Sequence, residues 1–247
     1  MINMDYFYLS DNIFIKEDKT YIIKNNKEVL IKNNNWHKLL KDIGWEKLPI
    51  QWIRKLSKLS NNKKNISSFG IIDCGSDGDC FFHCISFALN SIERYKSDPI
   101  IYNAHDIKSL LVNSIDIKTF NDIIEIYKIL KDHDELEESW NPYNTTFNEF
   151  KEMILNKKNI FWGDHILIQL VIKVLNINVI ILNNDTYSKK YNIYNTMIDY
   201  DLTKNTIILM YDDNNHFRLV GFYKDNLILS LFENRNIPDE IKILINT

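Results

Sequence analysis

Residues 164–182 constrain the fold more than any other stretch, because an apolar helical segment leads directly into a strand. Residues 164–175 form the most apolar of the predicted helices. Residues 177–182 are rich in β-branched side chains, which indicates a strand. Helices are predicted through the middle of the chain and strands cluster near its end. This order predicts an α+β or mixed α/β fold with a central sheet flanked by helices.

Periodicity and turn residues predict the remaining elements. Further helices are expected at 80–92, 106–114, 120–130, 147–155 and 238–245. Strands are expected at 13–15, 20–23, 28–31, 206–211, 216–223 and 226–232. Residues 36–60 show helical spacing that Gly44 and Pro49 break into two pieces.

A polar, Asn- and Lys-rich stretch at 60–68 is the best linker candidate. A length of 247 residues suits one large domain or a core with a small appendage. We therefore predict an N-terminal extension at 1–65 and a main domain at 66–247.

The composition argues against several classes of binding partner and against a secreted protein. A net charge of −3 carries no basic signature for nucleic acid. No segment resembles a signal peptide, and no apolar run is long enough to span a membrane. The three cysteines all lie between Cys74 and Cys84, which argues against a secreted disulfide framework. The chain is expected to be cytoplasmic with reduced thiols, without cofactor, nucleic acid or membrane partner.

The segment Asp77-Gly78-Asp79-Cys80 places a cysteine where an acidic turn meets a predicted helix. At a helix start, the dipole and free N–H groups favour a thiolate and can stabilise an oxyanion. Gly78 permits a turn conformation that other residues resist. The amides of Gly78 and Asp79 are candidate oxyanion donors. The carboxylates of Asp77 and Asp79 oppose a lowered thiol pKa, so the thiolate needs an imidazole partner.

His216 is the best candidate for that imidazole. It follows a polar turn and begins a predicted strand, with Arg218 on the same face and Phe217 on the other. By spacing alone this pairing is only moderately specific, because a cysteine at an apolar helix start is more often a core residue.

Three segments, in order, resemble the ovarian tumour (OTU) class of cysteine proteases, which are mostly deubiquitinases. They are the cysteine segment 77–83, the helix-to-strand segment 162–180 that begins at Trp162, and the histidine segment 216–220. The resemblance covers residues 71–223. It implies a papain-like fold in which Cys80 attacks the bond after the C-terminus of ubiquitin or a ubiquitin-like modifier. Polyubiquitin chains are an expected partner.

One position departs from the resemblance. Many members of the class carry Asp or Asn two residues after the histidine, where this chain has Arg218. Arginine has no acceptor for the imidazole. The orienting acceptor is then Asp77, another Asp or Asn on a neighbouring element, a backbone carbonyl or water. Asp77, Cys80 and His216 are the predicted catalytic residues.

Two alternatives to a deubiquitinase stay open. They are a catalytically weak or inactive ubiquitin-binding scaffold and a papain-like hydrolase of another amide or ester. Cys74, Cys80, His83 and Cys84 lack the paired knuckles of a structural zinc site, so no metal is predicted. Cys74 and Cys84 are expected in the core, and Asp164 is expected to cap the helix that begins at His165.

Overall fold

The computed structural model describes residues 6–32, 36–59, 68–75, 78–93, 98, 100–136, 140–156, 163–194, 200–213 and 215–245. The predicted linker falls outside these residues except for Ser68. Within them, no helix has both the length and the apolar character needed to cross a bilayer.

An antiparallel meander opens the described chain. Its strands follow sequence order: β1 (Tyr6–Ser10), β2 (Ile13–Lys16), β3 (Lys19–Lys24) and β4 (Lys27–Leu30). Two-residue turns at 17–18 and 25–26 join β2 to β3 and β3 to β4, with φ between 48° and 59°. Positive φ at both positions matches the twist of paired strands, and Asp and Asn tolerate it. The three strands predicted here are confirmed, and β1 was not foreseen.

The described residues form a second, eight-stranded sheet in the order β5-β6-β10-β9-β7-β8, with β11 beside β10 and β12 beside β9. Its strands are β5 (Trp45–Lys47), β6 (Phe69–Ile72), β7 (Asn178–Asn184), β8 (Ile193–Tyr194), β9 (Thr206–Asp212), β10 (His216–Lys224), β11 (Leu227–Leu229) and β12 (Leu231–Phe232). Strands β7 and β9 run parallel, and the other pairs are antiparallel. The sheet is therefore mixed, with one parallel pair among antiparallel ones.

Two parts of this sheet differ from the sequence prediction. The strand expected at 226–232 breaks at the buried Ser230, so β11 pairs with β10 and β12 with β9. Strand β5 interrupts the stretch that showed helical spacing. Its backbone pairs with β6, with Trp45 opposite Ile72, and such tertiary pairing overrides local propensity.

Helices cover both faces of the mixed sheet. They are α1 (Trp36–Leu39), α2 (Ile50–Leu59), α3 (Cys80–Glu93), α4 (Ala104–Ser114), α5 (Ile117–Asp132), α6 (Phe147–Asn156), α7 (His165–Leu175) and α8 (Asp239–Ile245). Side chains of α3 to α7 share one core with Phe217 and Leu219 of β10. Those of α2 and α8 share a second core with Val220 and Phe222. The predicted fold class, a central sheet flanked by helices, is confirmed.

Two glycines allow residues 36–47 to pack closely against the sheet. Gly70 of β6 and Gly221 of β10 stand opposite each other. A Cβ on Gly70 would come within 2.4 Å of the Trp36 indole, and one on Gly221 within 2.4 Å of the Trp45 indole. The missing side chains leave room for two buried tryptophans. The domain boundary near residue 65 stays a prediction, although residues before it pack on the same core.

Candidate active site

Cys80 is the first residue of α3. The N–H of His83 donates to the carbonyl of Asp79 at 2.9 Å, so Asp79 directly precedes the first helical turn. Gly78 has φ +88°, a left-handed conformation that glycine adopts without steric cost. Cys80 is 4% exposed. Gly78 and Asp79 therefore lead into the helix as predicted, and Cys80 is its first residue.

The fold brings β10 against this sulfur. The N–H of Phe217 donates to Cys80 Sγ at 3.5 Å across 137 residues of sequence. The Phe81 and Phe217 rings pack edge to face, with centroids 5.4 Å apart. His216, next to Phe217, begins the strand and is half-buried. The helix start and the histidine strand therefore meet, although the catalytic roles of Cys80 and His216 stay predictions.

Asp73 supplies a carboxylate beside His216. It follows β6, the neighbour of β10, and its Oδ1 lies 3.2 Å from His216 Nε2. The contact lacks the angles of a regular hydrogen bond, since Nε2 has no such partner. Attraction between charges therefore carries it when the ring is protonated. Asp77 lies outside the described residues. Among the described residues, Asp73 is therefore the Asp on a neighbouring element that lies next to the His216 imidazole.

Burial raises the pKa of the Cys80 thiol above its ordinary value, and the charge of Asp73 acts in the same direction. The N–H groups of Phe217, Phe81 and Cys80 itself lower the pKa, but by less. The expected lowering at a helix start is thus outweighed by desolvation. In this arrangement the thiol is the resting form, and a base must remove its proton for attack.

A buried ion pair lies beside Cys80, and the sequence pattern alone did not lead us to predict it. The ammonium of Lys108 in α4 contacts the carboxylate of Asp79, and their side chains are 2% and 11% exposed. Lys108 also lies over the Phe82 ring, 5.1 Å from its centroid. The signal was available, because Lys108 shares a helical face with Ala104, Leu111 and Val112. A lysine on an apolar stripe indicates a buried partner.

The other cysteines pack beneath Cys80. Cys84 is fully buried, and its S–H donates to the Phe217 carbonyl at 3.6 Å. Burial raises the pKa of the Cys84 thiol well above its ordinary value, and the nearby Cys74 adds to the rise. No three His, Cys, Asp or Glu side chains converge as metal ligands in the part of the chain described. Cys84 is a core residue as predicted, and Cys74 is half-buried.

Arg218 pairs with a carboxylate on the neighbouring strand β9. Its Nε and Nη2 both lie 2.6 Å from Asp212 Oδ2. The amide of Asn184 donates to Asp212 Oδ1 at 2.7 Å. Asp212 stands opposite His216 in the β9–β10 register, yet its carboxylate is held by these two partners. Arg218 therefore fixes the strand pair next to the histidine.

The helix-to-strand segment is built as expected. Asp164 caps α7 by accepting from the N–H of Leu167 at 2.9 Å, and it also accepts from the Tyr127 hydroxyl at 2.6 Å. This confirms Asp164 as the cap of the helix that begins at His165. Trp162 lies outside the described residues.

No family model matches the sequence, and no curated protein matches it. Solved structures similar to the chain include the viral OTU domain protease from Dera Ghazi Khan virus, at TM-score 0.40 and 16% identity, over 65% of this chain and 85% of that one. An ovarian tumour domain in complex with ubiquitin has TM-score 0.42 and 18% identity, over 71% and 80%. The Hazara virus OTU bound to ubiquitin has TM-score 0.39 and 11% identity, over 89% and 95%. Values of this size assign no function.

Proposed function

We propose that this chain is a cysteine-type deubiquitinase that hydrolyses the bond after the C-terminus of ubiquitin or a ubiquitin-like modifier. The observation that supports it best is the meeting of Cys80 and the His216 strand at a helix start, with Asp73 beside the imidazole. A nucleophile, a base and an acceptor that orients the base are the parts of thiol-dependent acyl transfer.

Each ring nitrogen of His216 has its own role in the proposed mechanism. Nε2 of His216 faces Asp73, so Nδ1 takes the proton from Cys80 Sγ. The thiolate attacks the carbonyl carbon, and the resulting oxyanion is stabilised by amides of the Gly78–Asp79 turn. Collapse breaks the C–N bond, and the imidazolium returns its proton to the leaving amine. Water then hydrolyses the thioester with His216 as base.

The choice of ubiquitin rests on the resemblance of the three sequence segments to the OTU class. The side-chain geometry supports acyl transfer in general, and a hydrolase of another amide or ester would need the same groups. A ubiquitin probe with a C-terminal electrophile separates these substrates. A different acyl substrate leaves the probe unreacted while Cys80 still reacts with a small thiol reagent.

The decisive experiment compares the wild-type chain with Cys80→Ala in reaction with that probe. Wild type is expected to form a covalent adduct that peptide mass spectrometry locates at Cys80, and Cys80→Ala is expected to form none. Cys74→Ala is the matched control because Cys74 is a second thiol that is not fully buried, and its adduct is expected to persist. An adduct in Cys80→Ala would overturn the assignment. A panel of di-ubiquitin linkages, cut by wild type alone, then defines chain preference.

A catalytically silent ubiquitin-binding domain is the second candidate. Two observations favour it: Cys80 is nearly inaccessible, and burial raises its thiol pKa. Such a domain would bind ubiquitin without adduct formation in wild type. Titration of ubiquitin against Cys80→Ala measures this affinity without interference from turnover.

A further inference from the structure

Lys108 occupies a position that stability does not explain. Its residue is 1% exposed and lies on the apolar face of α4. Transfer of a lysine and a carboxylate out of water costs several kcal/mol per ion, and an apolar residue of similar volume is often as stable there. The pair with Asp79 is a close ionic contact, while Asp79 Oδ1 accepts no regular hydrogen bond. Its partner Asp79 directly precedes Cys80, so the pair can act on that thiol.

Asp79 stands at the position that normally caps a helix. A carboxylate there usually accepts from the N–H groups of the first turn and places a negative charge at the positive end of the dipole. Among the described residues, Asp79 makes no such capping bond, because its side chain is turned toward Lys108. The N–H groups of Cys80 and Phe81 lower the pKa of the Cys80 thiol.

We propose that Lys108 is a positioning residue that holds the Asp79 carboxylate away from the start of α3. The first-turn amides then remain available to the Cys80 thiolate, and the charge of Asp79 is neutralised. The inference rests on the proposed role of Cys80 as nucleophile. It explains how an acidic residue directly before a nucleophilic cysteine is tolerated, since an uncompensated carboxylate would oppose the thiolate.

Other groups that act on the sulfur come from several elements. They are Asp73 after β6, Tyr211 of β9, the N–H of Phe217 in β10 and Cys84 of α3. These groups are the same in every variant proposed here. A difference between variants therefore reports on Lys108 and Asp79.

The test is the pH profile of Cys80 alkylation by iodoacetamide, followed by peptide mass spectrometry. Lys108→Met is expected to raise the midpoint by about one pH unit, which is about tenfold less thiolate at neutral pH. Lys108→Met combined with Asp79→Ala is expected to return the midpoint most of the way to wild type. Lys128→Met, at a partly exposed lysine of α5 that pairs with Glu125, is the matched control and leaves the midpoint unchanged.

An alkylation midpoint in Lys108→Met that equals that of wild type would overturn the proposal. So would a double variant whose midpoint is shifted as far as that of Lys108→Met, because Lys108 would then act only by filling space. If Lys108→Met fails to fold, Asp79→Ala alone is decisive. It leaves the ammonium uncompensated near the sulfur, so the midpoint should fall, and a rise or no change would refute the idea. Alkylation needs no ubiquitin, so a failed ubiquitin probe would remove the proposed function while leaving this result to stand separately.

Discussion

Replacing Asp73 with alanine is expected to lower kcat/KM for a fluorogenic ubiquitin substrate about tenfold. The Asp73 Oδ1 to His216 Nε2 distance is 3.2 Å. At that distance the attraction between unit charges is about 1.3 kcal/mol in water and about 5 kcal/mol at an effective dielectric constant of 20. The Asp73 side chain is 54% exposed, so the lower limit applies. A loss of about 1.4 kcal/mol of imidazolium stabilisation is a tenfold loss in rate.

A second effect of Asp73 acts in the opposite direction. Its charge raises the pKa of the Cys80 thiol, so alanine lowers that pKa and the alkaline reactivity of Cys80 appears at lower pH. Asp73→Asn removes the charge while keeping the size of the side chain, and it is expected to lose as much activity as Asp73→Ala, because the contact with Nε2 is carried by the attraction between charges. The kcat/KM profile between pH 5 and 9 separates the orientation of His216 from the thiol pKa.

Glu46→Ala is the matched control, because Glu46 is an exposed carboxylate on the next strand whose nearest cation, Arg218, is 4.0 Å away. It is expected to keep full activity. A thousandfold loss in Asp73→Ala would mean that the carboxylate acts as a buried, indispensable acceptor, against the exposure argument. If Asp73→Ala is fully active while Asp77→Ala is weakened, Asp77 orients the ring.

Three further predictions concern stability, measured by urea unfolding. Gly221→Ala is expected to lose about 3 kcal/mol, because its Cβ would overlap the buried Trp45 indole; an unchanged midpoint would refute this packing. Burial lowers the pKa of His37. Below about pH 6.5 the unfolded chain therefore binds more protons than the folded chain, and the free energy of unfolding decreases by up to about 1.4 kcal/mol for each pH unit of acidification. His37→Gln should flatten that slope, and an unaltered slope would contradict the assignment. Arg218→Ala should lose about 1–2 kcal/mol by unpairing the half-buried Asp212, and Arg218→Ala combined with Asp212→Asn should recover part of it.

Local signals in the sequence were sufficient for most helices and strands. The cap at Asp164 and the glycine of the Cys80 turn are short-range features whose physics acts within a few residues. Strand β5 was missed because its extended backbone is imposed by pairing with β6, more than twenty residues away. The break at Ser230 was missed for the same reason, since two different partner strands compete for residues 227–232.

Cys80 and His216 could be named as candidates from the sequence, because each lies in a segment that resembles a known class. The charged side chains near these two residues could not be predicted, because they lie on other elements of the fold. Lys108 reaches Asp79 through the packing of α4 on α3, and Asp73 reaches His216 through the alignment of β6 with β10. The pKa of Cys80 also depends on burial, which only the assembled core creates.

The carboxylate beside His216 comes from a different strand, so its distance from the imidazole depends on how two strands pair. An acceptor two residues along the same strand would stay beside the imidazole as long as β10 remained extended. Asp73 instead belongs to the chain that leaves β6, so its distance from His216 follows the β6–β10 register, in which Ile72 stands opposite Leu219. Any change that loosens this pairing, such as a side chain at Gly221, should therefore lower activity before it unfolds the domain. Activity and unfolding measured on the same Gly221→Ala sample across urea concentration would show the activity midpoint preceding the unfolding midpoint, and coincident midpoints would contradict the coupling.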